Sequence, residues 1–176
     1  MLLNEDRRII SVAYDDMNGC ELNAWIGSRY EECGRVLILL ESTYGNPHAT
    51  QRGDVLAWAS GSKDPTFQKI WKANAQTDES RLDLFNRLAC MNLWPEPIGA
   101  NNQVKVSEAQ LRLGARTLVA RLDLITPEVI WIASKRAADS AKSVLQDYPA
   151  KRIIETRHPS RASYECLRNA WNDCMR

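Results

Sequence analysis

Apolar residues recur along this chain in two rhythms, one suited to buried strands and one to amphipathic helices. Val36 to Leu40 is an unbroken apolar run behind Gly34, the pattern of a strand covered on both faces. "EVIWIAS", residues 128 to 134, is a β-branched run that follows Pro127 and predicts a second strand. "CMNLWPEP", residues 90 to 97, holds a shorter apolar piece, and "RIIET", residues 152 to 156, a short strand.

Helical spacing fills the intervals. "DVLAWAS" and "PTFQKIWKANA" read as helices, the second with Pro65 in its first turn and Phe67, Ile70 and Trp71 on one face. Residues 78 to 89 carry acids first and then Leu82, Leu84, Phe85 and Leu88 near one stripe. Residues 107 to 125 form one long amphipathic pattern through Leu111, Leu113, Ala115, Leu118, Val119 and Leu122. Further helices are predicted over 136 to 147 and over "RASYECLRNAWNDCM", while Gly45, Pro47 and Gly53 mark residues 42 to 53 as a loop. Ahead of the first strand, Ile9, Ile10, Val12, Ala13, Leu22, Ala24, Trp25 and Ile26 are spaced as in a helix. Two short helices broken near Asn18 and Gly19 are expected there, as an N-terminal segment over 1 to 33 packed on the rest.

Strands alternating with helices predict an α/β fold: three layers, α/β/α, around a central four-stranded, mostly parallel sheet. The 176 residues suit one domain over 1 to 176. In open sheets of this kind ligands sit outside the carboxyl ends of the strands. Chemistry is therefore to be sought at those ends.

Composition narrows the classes. Net charge is +1, but Lys and Arg outnumber acids 13 to 8 over residues 101 to 176 and are outnumbered 10 to 14 before that, an asymmetry that permits a nucleic-acid face. The five cysteines, Cys20, Cys33, Cys90, Cys166 and Cys174, include no CxxC pair, so reduced packing thiols are expected rather than a disulfide framework or a zinc site. No apolar stretch approaches the roughly 18 residues of a membrane span, and "MLLNEDRRII" lacks a signal-peptide core, so a cytoplasmic protein is expected. Neither a Gly-rich dinucleotide fingerprint nor a P-loop is present.

Four strand ends carry polar groups: Glu41-Ser42-Thr43-Tyr44-Gly45, Asn92, Ser134-Lys135, and His158-Pro159-Ser160-Arg161. Each has a plain reading, as cap, loop histidine or strand-end amide. Gathered on one edge of a parallel sheet, an acid, an amide, an imidazole and hydroxyls make the set that a small polar ligand needs.

That ordered set, "LESTYG", then "CMNLWP", a strand after Pro127, and "HPSR" before the last helix, resembles the uracil-DNA glycosylase superfamily over about residues 30 to 176. Its members flip a base out of DNA into a pocket and cleave its bond to deoxyribose. Their first motif reads G-Q-D-P-Y or G-E-x-P-G. Here Leu40 stands in place of the Gly, Thr43 in place of the Pro and Ser42 at the Asp position, while Glu41 matches the Glu of the second form.

The resemblance implies roles residue by residue. Glu41 would orient or deprotonate the attacking water and balance a cationic sugar, and His158 would hydrogen-bond the departing base; these are the catalytic candidates. Ser42, Tyr44 and Asn92 are the substrate-binding candidates, with Tyr44 beside the base C5 position and Asn92 reading its polar edge. Ser160 would bind a phosphate, Arg161 or Tyr164 would fill the space the base leaves, and Ser134 and Lys135 would touch the DNA backbone. Trp58 or Phe67 would stack on the base.

The resemblance thus implies a DNA glycosylase that acts on uracil or a modified or deaminated base. DNA is its expected partner, no metal or other cofactor is expected, and a monomer is expected. Three alternatives stand beside it: a base-binding or DNA-binding module without catalysis, covalent capture of the abasic sugar by His158, and an α/β protein for a nucleotide-like metabolite.

Overall fold

The computed structural model describes residues 23–43, 50–99 and 104–176. Five strands, β1 (Ala24–Ile26), β2 (Val36–Leu40), β3 (Leu88–Asn92), β4 (Val129–Ile132) and β5 (Arg152–Glu155), form one sheet in the order β1-β3-β2-β4-β5. β3, β2, β4 and β5 run parallel, and β1 pairs antiparallel with β3. The helices are α1 (Gln51–Ala59), α2 (Pro65–Asn74), α3 (Arg81–Asn86), α4 (Glu108–Arg116), α5 (Leu118–Ile125), α6 (Lys135–Leu145) and α7 (Tyr164–Cys174). No helix among the described residues is long and apolar enough to cross a membrane.

The alternation within β2 explains why it needs apolar residues throughout. Val36, Ile38 and Leu40 pack into one core with Val55, Trp58, Phe67 and Phe85 from α1 to α3 and Leu167 from α7. Leu37 and Leu39 face a second core with Leu111, Leu118, Leu122 and Ala141 from α4 to α6. Two cores, one on each face, make the three layers.

The sheet has five strands rather than four, and the extra one comes from a segment expected to be helical. In β1 the side chains alternate: Trp25 joins the first core, while Ala24 and Ile26 pack against the second. The Trp25 indole N–H donates to the Phe85 carbonyl at 2.8 Å. Gly27 ends the strand so close to α3 that a Cβ there would lie 2.4 Å from the Phe85 and Asn86 carbonyl oxygens. Three residues are too few to separate a period of 2 from one of 3.6, so tertiary pairing decides. The expected helices before Asn23 lie outside the described residues.

Other boundaries differ from the sequence pattern as well. Residues 51 to 53, expected as loop, open α1, where the Thr50 side chain caps the Gly53 N–H. The helix expected over 78 to 89 stops at Asn86, because Leu88 and Ala89 pair with Val36 and Leu37 as the first residues of β3. The long pattern over 107 to 125 is two helices meeting at Thr117. Gly114 of α4 is pressed onto the chain after β3, where an added Cβ would sit 2.3 Å from the Leu93 oxygen. The buried Arg121 guanidinium of α5 then reaches the carbonyls of Asn92 (2.8 Å), Leu93 (2.7 Å) and Gly114 (2.9 Å). This cation saturates backbone acceptors at the point where β3 hands over to a turn, which holds the carboxyl edge of the sheet in place.

Replacing Arg121 with Leu leaves those carbonyls without their donor in a dry interior, and each such loss costs on the order of 1–3 kcal/mol. Urea unfolding of Arg121→Leu is expected to show a loss of at least about 3 kcal/mol. A loss under about 1 kcal/mol would contradict this role of Arg121 at the β3 end.

Candidate functional site

The parallel register brings the strand ends level. Leu40 is opposite Asn92, Leu39 opposite Ile132, and Ile132 opposite Glu155. Chain order leaves β2 toward β3 on one side and returns to β4 on its other side, so the carboxyl end of β2 is a topological switch point. Glu41 is the first residue past that end.

Both oxygens of the Glu41 carboxylate are held. The Ser134 hydroxyl donates to Oε2 at 2.7 Å, and Arg136 donates from Nη1 to Oε1 at 2.6 Å. Ser134 is 2% exposed, and its Oγ also accepts from the Ala137 N–H as the N-cap of α6. One serine thus starts the helix and aims the carboxylate. Arg136 in turn is anchored to Glu108 and to the Val106 carbonyl. Glu41 is therefore a carboxylate of fixed orientation whose charge is partly countered by Arg136.

His158 stands after β5 in a tight turn, where the N–H groups of Arg161 and Ala162 both donate to its carbonyl. Its Nδ1 accepts the Ser160 N–H at 3.3 Å and lies 2.8 Å from the Ser160 hydroxyl. A ring nitrogen that accepts a backbone N–H carries no proton, so in the neutral imidazole the proton is on Nε2. Burial pushes the imidazole below its ordinary value of 6.5; the Glu41 carboxylate pulls it back up, Arg161 pushes it down, and Asp64 again raises it.

These groups line one cavity of about 660 Å³. Glu41, Ser42 and His158 form part of its wall, with Asp64, Pro65 and Thr66 from the start of α2. Cations dominate the remainder: Lys105, Lys135, Arg136, Arg157 and Arg161. The Ser42 hydroxyl is buried and has no hydrogen-bond partner among the described residues. The cavity offers an oriented anion, an N–H donor on a neutral ring and a positive rim.

The sequence-predicted residues separate into groups. Glu41, Ser42, Ser134, Lys135, His158, Ser160 and Arg161 all line the cavity. Ser134 and Ser160, expected to touch DNA, have their hydroxyls on Glu41 and His158 instead. Asn92 is 1% exposed, donates its amide N–H to Gln51 Oε1 at 2.7 Å and does not line this cavity. Trp58 and Phe67 pack against each other with ring centroids 5.9 Å apart in the core, so neither walls the cavity. Tyr164 is exposed under Lys69 and outside the cavity lining. Tyr44 lies outside the described residues.

Sequence reasoning missed Asp64, Lys105, Arg136 and Arg157. A signal existed for two of them: "KDP" before a helix marks Asp64 as an N-cap, and Arg157 adjoins His158. Among the described residues no group of three or more His, Cys, Asp or Glu stands ready to hold a metal ion. No family model matches the chain, and no curated protein matches it.

The imidazole titration of His158, followed by NMR, is expected to have its midpoint below 6.5. Glu41→Gln should lower it further and Arg161→Gln should raise it, because those charges act in opposite directions. Since the folded chain favours the neutral ring, the unfolded chain binds the extra proton in the window just below 6.5. The His158 contribution to stability is thus full above that value and is lost as the pH falls toward the folded midpoint. A midpoint at or above 6.5, or substitution shifts of the opposite sign, would contradict the arrangement.

Proposed function

We propose that the protein is a DNA N-glycosylase that hydrolyses the bond between deoxyribose and uracil, or a modified or deaminated base, held in this cavity. The observation that carries the reading is the placement of Glu41 and His158, from opposite ends of the chain, on one cavity at the switch point of the sheet. Glycosidic cleavage develops positive charge on the sugar and negative charge on the departing base. Glu41 is the anion for the first, and the Nε2–H of His158 is the donor for the second. Ser134 and Ser160 fix the two groups before substrate arrives, so little reorganisation is left for the reaction.

The cationic rim suits the DNA backbone. Lys135 and Arg161 are exposed at the cavity mouth, where they would neutralise phosphates. Counterion release then makes affinity for DNA fall steeply with salt. A metabolite site on the same edge would not behave so.

A second reading, a base-binding module without cleavage, is favoured by the same Glu41: Arg136 occupies one oxygen and Ser134 the other. Incubation with a panel of single- and double-stranded oligonucleotides, each carrying uracil or one modified base, followed by alkali, separates the two. The glycosylase reading expects alkali-labile product from the wild type and at least roughly 100-fold less from Glu41→Gln. Base-selective binding with no product from any oligonucleotide would sink it in favour of the binding module. A complex that survives denaturant and vanishes in His158→Ser would instead mark covalent capture of the sugar.

Salt titration of DNA binding gives an independent check. Replacing Lys135 or Arg161 with Gln should weaken binding for every sequence. It should also reduce the slope of log affinity against log salt by about 0.9 for each duplex phosphate that the variant no longer neutralises. Unchanged slopes in both variants would move the DNA path away from this edge.

A further inference from the structure

Glu41 has a neighbour in the cavity whose chemistry is unassigned. Asp64 is the N-cap of α2, and its Oδ1 accepts the main-chain N–H groups of Thr66 (2.8 Å) and Phe67 (2.9 Å). Two backbone donors anchor that oxygen at the start of α2. Its Oδ2 has no hydrogen-bond partner among the described residues, although Asp64 is half-buried and lines the cavity with Glu41 and His158. The carboxylate also lies close enough to His158 for its charge to act on the imidazole.

We propose that Asp64 is a further catalytic residue, the general base whose Oδ2 takes the proton of the attacking water, while Glu41 balances the charge of the sugar. The proposal rests on the glycosylase reading above. Both Glu41 oxygens already accept strong donors, one of them an arginine, whereas Asp64 is anchored through Oδ1 and the lone pairs of its Oδ2 are unclaimed among the described residues. In the step, a bond forms between the water oxygen and the anomeric carbon as the bond from that carbon to the base nitrogen breaks. The electron pair of the broken bond leaves with the base, whose negative charge the His158 Nε2–H stabilises. One water proton passes to Asp64 Oδ2 and from there to solvent, so no redox partner is involved.

An Asp used only as a cap makes a different prediction from an Asp used as a base, because asparagine and serine cap helices about as well as aspartate. Asp64→Asn and Asp64→Ser therefore keep α2 while removing the base. On whichever oligonucleotide the wild type cleaves, single-turnover excision under saturating protein should fall by at least about 100-fold in both variants. Their melting temperature and affinity for the same oligonucleotide should stay near those of the wild type. Excision within about threefold of the wild type in Asp64→Asn, with melting unchanged, overturns the role of Asp64 and leaves the glycosylase reading intact. If the wild type excises no base from the panel, the glycosylase reading fails and this role fails with it. Loss of excision accompanied by an equal loss of melting temperature in both variants assigns Asp64 to the cap alone.

Discussion

The site depends on the parallel pairing of β2 with β4. That register sets Leu39 beside Ile132 and so delivers Glu41 and Ser134, 93 residues apart in sequence, to hydrogen-bonding distance. A one-residue slip would turn Leu37 and Leu39 away from their core and reverse the direction of every side chain that follows. The apolar continuity of β2 and β4 is thus what fixes the chemistry beyond them. Burial of the strands on both faces makes the register costly to change.

From that constraint the other arrangements follow in sequence. Ser134 starts α6 and orients Glu41, and the first turn of the same helix supplies Arg136, whose guanidinium ties Glu41 to Glu108. At the neighbouring strand end a turn folds Ser160 back on His158 and determines which ring nitrogen keeps its proton. On the opposite side of β2, Arg121 saturates the carbonyls after β3 from beneath. Glu41 is held by side chains from α6 and His158 by its own turn, so both are oriented before any ligand binds.

Much of this was legible in the sequence. The unbroken run Val36 to Leu40, the β-branched run before Ser134 and the short strand over residues 152 to 156 carried enough signal to give the parallel core and its carboxyl edge, and with them the positions of Glu41 and His158. What the sequence concealed depends on contacts between distant segments. β1 is only three residues long and is made a strand by β3 and by the Phe85 carbonyl. Trp58 and Phe67 carry the same aromatic character whether they wall a pocket or fill a core, and here they close on Trp71 and Phe85. Asn92 sits at the expected strand end, but its amide is taken by Gln51 from the start of α1. Arg136 is an ordinary helix residue in sequence and becomes part of the site only through the fold.

The fold places Glu41 and His158 on one cavity, and the proposed glycosidic cleavage assigns the carboxylate to the cationic sugar and the imidazole to the departing base. The most direct test is a crystal structure of the protein with an oligonucleotide in which the target nucleoside carries a 2′-fluorine, which disfavours the cationic sugar and preserves the bond. The expected result is the flipped nucleotide in the cavity, its anomeric carbon facing the Glu41 carboxylate and a base oxygen or nitrogen within hydrogen-bonding distance of His158 Nε2. A complex in which the DNA avoids the carboxyl edge of the sheet, or in which the base remains stacked in the helix, would contradict it.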